Sequence, residues 1–275
     1  MARQVTPVRR LLEGVVDYAG LFPPAALDLR SAAENYAAYL EGEQAWMLGS
    51  FVAPAGRLHE LAPLIPRRQR PWNVSALAGT GVRDDIRAVE LFEAGGAGRV
   101  KWIEVKANSL EQIRQAREWT PRTKGIYFEI TEAALLDAVR ACGARAKLRT
   151  GGLTPDAVPK SDTVARFLSA TRDKQVPFKC TAGLHHALRS AEMHGFLNVL
   201  LASVFAQTAV SNEELVEILE ARSGAVFGWE EDGVTWHQYR VTNQQIAQAR
   251  ERGMISFGSC SFEEPVAGLQ SLGLL

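Results

Sequence analysis

A short apolar strand, a turn containing glycine or proline, and an amphipathic helix follow one another repeatedly along this chain. The candidate strands are "GVVDYAGL", "WMLGSFVAP", "WNVSALAG", "RVKWIEVKA", "GIYFEIT", "RAKLRTGG", "VPFKCTAG" and "MISFGSCS". Each is β-branched or aromatic in character, and most end near Gly, Pro or Ser. Helical patterns lie between them. "SAAENYAAYL" opens at Ser31, an N-cap residue type. "SLEQIRQAREW" reads as a capping box on Ser109 and Gln112, and "EAALLDAVRACG" stops at Gly143, a suitable C′ residue. Eight strands alternating with helices predict an α/β fold, a parallel sheet closed as a (β/α)8 barrel.

The chain has 275 residues, 47% of them apolar and 23% charged, which suits one barrel of about 250 residues with a large core. The reading is therefore a single barrel domain over 1–275, with an enlarged connection at about 187–245 before the last strand. Within that connection, "GFLNVLLASVFAQTAV" reads as a strand and a helix or as one buried helix, and its length favours the helix. Ser211 then caps "NEELVEILEA". "VFGWEEDGVTWHQY" predicts a surface hairpin turning at Asp232-Gly233, with Trp229 and Trp236 as packing or oligomer contacts.

Formal net charge is zero, which gives no reason to expect a nucleic-acid partner or an anionic membrane surface. Three cysteines, Cys142, Cys180 and Cys260, form neither a disulfide framework nor a metal signature, and no H-E-x-x-H helix is present. No metal and no cofactor are expected. The first residues lack the apolar core of a signal peptide, and the longest apolar stretch is too short to span a bilayer. These features together predict a cytoplasmic protein with a small-molecule substrate; homo-oligomer formation is left open.

Two of the strands carry lysines where core residues are expected, and lysine is rarely buried unless paired. Lys147 shares a strand face with Arg149, and Lys179 with Thr181. Glu104 shares a face with Trp102 and Lys106, and Glu129 lies near the end of "GIYFEIT". In a barrel, inward residues at the C-terminal strand ends line the active-site face. If these faces point inward, two or three lysines, an arginine and two carboxylates meet in one mouth. Such a set is either an ion-pair network that satisfies itself, adding little net stability, or a reactive site. Two close lysines disfavour each other's protonation, so one amine can be neutral near pH 7 and attack a carbonyl. The resulting iminium is an electron sink for breaking or making a C–C bond.

The order of these segments resembles the class I aldolases of the deoxyribose-phosphate aldolase type. "DYAGLFPPA" resembles that family's first strand, D-h-T-L-L-x-P-x-A, and "FVAPAGRL" its V-x-P-x-x-V. "EVKAN" is similar to D-x-V-x-N, where the aspartate handles protons, and "YFEIT" to I-I-E-T. "KLRTGG" is similar to K-T-S-T-G, whose lysine forms the Schiff base. "KCTAGL" resembles K-x-x-G-G-I, whose lysine tunes the first, and "FGSCS" resembles I-G-T-S-S, which holds the substrate phosphate. The resemblance implies Lys147 as the nucleophile, Lys179 as its tuner and Glu104 as the proton shuttle. Glu104 stands where the family has Asp, Lys106 is added, and Arg149, Gly152 and the "GLHH" turn depart from the family pattern.

Further candidates surround this set. Arg149, Thr150 and Gly151 would meet substrate beyond Lys147, the guanidinium contacting an anion. His185 and His186 would bind substrate, move protons or ligate a metal, and otherwise form a surface pair at a helix start. Ser259 and Ser261 with nearby amides would cradle a phosphate or carboxylate, or form an ordinary turn. Asp17, with Tyr18 beside it, would hold a substrate hydroxyl or serve as a buried structural carboxylate. The expected activity is a Schiff-base-forming lyase or aldolase on a small oxo or hydroxy compound, bearing a phosphate or carboxylate in one version. A metal-assisted hydrolase or isomerase using Glu104, Glu129 and His185, and a non-catalytic metabolite- or partner-binding barrel, are the alternatives.

Overall fold

The structure, a computed structural model, describes residues 6–66, 70–79, 81–152, 154–191 and 193–275. Among the described residues, eleven strands follow one another: β1 Val16–Tyr18, β2 Leu48–Pro54, β3 Trp72–Leu77, β4 Gly98–Lys106, β5 Gly125–Glu129, β6 Arg145–Arg149, β7 Phe178–Thr181, β8 Phe227–Trp229, β9 Gly233–Trp236, β10 Tyr239–Thr242 and β11 Met254–Ser259. β1 to β7 and β11 close into one parallel barrel in the order β1-β11-β7-β6-β5-β4-β3-β2. The chain is a (β/α)8 barrel. The strands bury both faces, as a parallel sheet covered by helices requires; β1 is buried at all three positions, and β5 and β6 at their three central ones.

The helix signals translate unevenly. Ser109 caps helix Leu110–Trp119 by accepting the Gln112 N–H, but the Gln112 side chain accepts from Asn108 rather than from Ser109. Gly143 follows helix Leu136–Ala141 at φ +62°, the left-handed turn that favours glycine. Ser31 is not a cap. Helix Leu29–Glu41 starts earlier, at Asp28, whose carboxylate accepts both the Ser31 N–H and the Ser31 hydroxyl.

The long apolar segment is one helix, Phe196–Phe205, buried at every position because it lies between the barrel and the rest of the connection; Phe196 stacks on Phe257 of β11 at 4.9 Å. Helix Asn212–Glu220 follows with a full capping box on Ser211 and Glu214. The expected two-stranded hairpin is a three-stranded antiparallel sheet, β10-β9-β8. The chain turns from β8 to β9 over residues 230–232, where the Glu230 N–H donates to the Gly233 carbonyl. Its second turn, at His237 with φ +50°, carries no Gly or Asn signal in the sequence. Trp236 is buried against Phe205, so this face of the hairpin is core rather than surface. Among the described residues, no helix is long and apolar enough to cross a membrane.

Candidate active site

Strand register decides which side chains meet. β5, β6 and β7 place Glu129, Lys147 and Lys179 at matching positions, and β11 adds Ser256 beside Lys179. With a period of two along each strand, these residues point into the barrel at its C-terminal end. Glu104 of β4 completes the group. Its Oε1 accepts from Lys179 Nζ at 2.8 Å and from the Ser75 hydroxyl of β3, and its Oε2 accepts from Lys147 Nζ at 2.8 Å. Lys147 also donates to Glu129 Oε2 at 3.0 Å, and Glu129 Oε1 pairs with Arg149 at 3.0 Å. Lys179 reaches Asp17 of β1 and lies over the Tyr127 ring.

Charge pairing governs the ionisation of this cluster. Burial would raise the Glu104 pKa, but the Lys147 and Lys179 ammoniums outweigh it and hold the carboxyl below its ordinary range. Burial acts the same way on Glu129, where Lys147 and then Arg149 outweigh it and lower the pKa. Burial would lower the Lys179 pKa, but Asp17 and Glu104 raise it above the usual lysine value. At Lys179 the repulsion expected between the two lysines is outweighed, because Asp17 and Glu104 are in direct contact with its ammonium.

Above this layer opens a cavity of about 660 Å³, within the range of small-molecule sites. Glu104, Glu129, Lys147 and Lys179 form its charged floor. Arg149, His185 and His186 line it as the sequence suggested, and so do Cys260 and Glu264. His185 Nδ1 lies 3.3 Å from Glu264 Oε2 and 3.9 Å from Cys260 Sγ. Among the described residues, no three His, Cys, Asp or Glu side chains converge as metal ligands.

Asp17, Thr150, Gly151, Ser259 and Ser261, all sequence-derived candidates, do not line the cavity. Asp17 lies beneath it, buried, accepting from the Ser50 N–H, Lys179 and the Ser256 hydroxyl. It supports Lys179 from below instead of facing a substrate hydroxyl. Gly49 leaves room for it, since a Cβ there would meet Asp17 Oδ1 at 2.4 Å. Thr150 is turned aside, its hydroxyl donating to the Ala182 carbonyl at 2.7 Å. Gly151 packs backbone to backbone on Gly183, where a Cβ would meet Gly183 Cα at 2.7 Å. Ser259 is buried, and its Oγ accepts the Ser261 N–H; the Ser261 hydroxyl in turn accepts the Glu264 N–H at the start of helix Glu263–Ser271. The "FGSCS" segment thus presents Gly258 and Cys260 to the cavity, not its serine hydroxyls. Lys106 is exposed outside the cavity, so the mouth holds two lysines rather than three.

No protein-family model matches the chain, and no curated protein matches it. A solved structure of a mutant FabK from Thermotoga maritima is similar to it at 16% identity and a TM-score of 0.43, over 98% of this chain and 97% of that chain.

Proposed function

We propose that this barrel is a class I lyase or aldolase that joins Lys147 Nζ to the carbonyl carbon of a small oxo compound. The reading is carried by one observation: Lys147 sits on the cavity floor between two carboxylates, 2.8 Å from Glu104 and 3.0 Å from Glu129. A buried ion-pair network adds little net stability, so an open cavity above it needs another explanation. The ordered aldolase-like segments of the sequence agree with it.

Lys147 is the better nucleophile on geometry. Lys179 is held charged by Asp17 and Glu104, whereas the carboxylate that Lys147 shares with Arg149, Glu129, has its charge divided between two cations. In the proposed cycle Lys147 passes a proton transiently to Glu129, against the cations that lower its pKa, and Glu129 returns it to the carbinolamine hydroxyl as that leaves as water. The neutral amine adds to the carbonyl, and the carbinolamine loses water to give an iminium. That iminium carries its positive charge where the ammonium stood, so Glu104 and Glu129 are already oriented to stabilise it without reorganisation. Cleavage of the adjacent C–C bond delivers its electron pair to the iminium nitrogen as an enamine, while Glu104, the expected proton shuttle on the cavity floor, removes the proton of the departing carbinol and returns it to the enamine carbon. Reprotonation at carbon and addition of water restore the amine. Lys179 returns Glu104 to its ionised form between these transfers.

Borohydride trapping against a panel of aldehydes and ketones, read by peptide mass spectrometry, tests this. A reduced adduct on the Lys147 peptide is expected. An adduct that persists unchanged in a Lys147→Arg protein, or no adduct with any carbonyl, removes the proposal.

A further inference from the structure

The cavity wall is chemically divided by strand order. On the β1–β3 side it consists, among the described residues, of Ala19, Phe22, Pro23, Pro24, Val52 and Leu77, none of them ionisable. These belong to β2, β3 and the segment after β1, which are neighbours in the barrel. Phe22 and Leu77 are only partly covered and the two prolines are exposed, so this apolar surface faces the open cavity rather than the core. The β4–β7 strands bring Glu104, Glu129, Lys147, Arg149 and Lys179 to the cavity, while Asp17 of β1 lies beneath it and Glu264 reaches its rim from the helix after β11.

Among the described residues, each lysine and arginine lining the cavity is paired with a carboxylate. Lys147 is paired with Glu104 and Glu129, Lys179 with Asp17 and Glu104, and Arg149 with Glu129. Three cations thus face three carboxylates, and Glu264 adds a fourth carboxylate at the rim. Among the described residues, a phosphate dianion entering this space meets no unpaired lysine or arginine, and it has to be desolvated against carboxylates. The serines that would have cradled it make hydrogen bonds within their own turn.

We infer that the substrate is a neutral carbonyl compound bearing an aliphatic or aromatic substituent, its carbonyl directed at Lys147 and its apolar group laid against the β1–β3 wall. This rests on the Schiff-base reading for the carbonyl, and on the division of the wall for the substituent. The charged floor recognises a group that becomes cationic only on reaction, and the apolar wall supplies binding through surface removed from water.

The experiment has two arms. In the first, wild-type protein is trapped with borohydride in the presence of 3-phenylpropanal or glyceraldehyde 3-phosphate at equal concentration. Labelling of Lys147 at least tenfold faster with 3-phenylpropanal is expected, and Leu77→Lys should shrink or reverse that ratio by placing a cation in the wall. Faster labelling by the phosphorylated aldehyde overturns the inference and leaves the Schiff base standing. In the second arm, 3-phenylpropan-1-ol and its phosphate monoester, which cannot react with an amine, are titrated calorimetrically into the same protein. Binding of the alcohol about tenfold tighter supports the inference even where neither aldehyde is trapped, in which case only the lysine chemistry falls. Tighter binding of the phosphate ester, or binding of neither, overturns it.

Discussion

Lys147 and Lys179 stand opposite each other across the β6–β7 ladder and donate to the two oxygens of the same carboxylate, Glu104, each at 2.8 Å. Their ammonium nitrogens are therefore separated by no more than two such contacts and the width of one carboxyl group. The lysines are coupled through an anion rather than by bare repulsion, and this separates their roles.

Lys147→Arg keeps a cation between Glu104 and Glu129 but cannot form an imine, since a guanidinium stays protonated at any working pH. Folding measured by circular dichroism should be retained. Turnover of any substrate that wild-type protein cleaves should fall on the order of 10³-fold or more, as expected when a covalent nucleophile is lost.

Lys179→Met leaves Asp17 and Glu104 buried without the cation between them. Removing one partner from a buried pair costs about 3–5 kcal/mol, to be read from urea midpoints. Combining it with Asp17→Asn should recover part of that loss, because the orphaned charge is removed. A double-mutant cycle with no coupling would contradict the described contact.

The network also sets a pH window for stability. Glu104 and Glu129 have lowered pKa values when folded, so their contribution is present above the unfolded carboxyl value of about 4.3 and is lost as the pH falls toward their lower folded values. Lys179 has a raised value, so its contribution is complete below the unfolded lysine value of about 10.4 and is lost at higher pH. Urea midpoints measured from pH 2 to 11 should show a plateau between these limits and a fall on each side. Glu104→Gln should flatten the acid limb.

Gly151→Ala places a methyl group into Gly183 Cα, a contact between two backbones that no side-chain rotation relieves. The β6 and β7 loops, also tied by the Thr150 hydroxyl and N–H to Ala182 and Thr181, must then separate. A loss of about 2 kcal/mol or more is expected, with slower borohydride labelling of Lys147, because these loops carry Gly152, Ala182 and His185 on the cavity wall.

The barrel was legible because apolar strands and helical periods alternate with few interruptions. The floor was legible because charged residues sat on strand faces that had to be buried. Its supporting hydroxyls were not. Ser75 and Ser256 look like ordinary strand residues until register sets them beside Glu104 and Asp17. The phosphate cradle was misread on parity. β11 pairs Ser256 with Lys179 and Gly258 with Thr181, so Ser259 falls on the opposite face, in register with Tyr18. Glu264 was invisible because it comes from the helix after β11, brought over the mouth by the turn that Ser261 caps.

Closing the barrel through β11 also orders the events of folding. β1 has β2 on one side, but its other neighbour arrives some 240 residues later, when Val16–Tyr18 pairs with Phe257–Ser259. The Asp17 carboxylate receives the Ser256 hydroxyl from that same late strand, and Lys179 depends on Asp17 for one of its two anions. Loop closure on this scale slows folding. On a ribosome, the first strand therefore waits with an open edge until β11 has emerged. A protein shortened before Met254 would expose two strand edges and leave Asp17 and Lys179 beside the gap, a state suited to chaperone capture or to pairing with another chain.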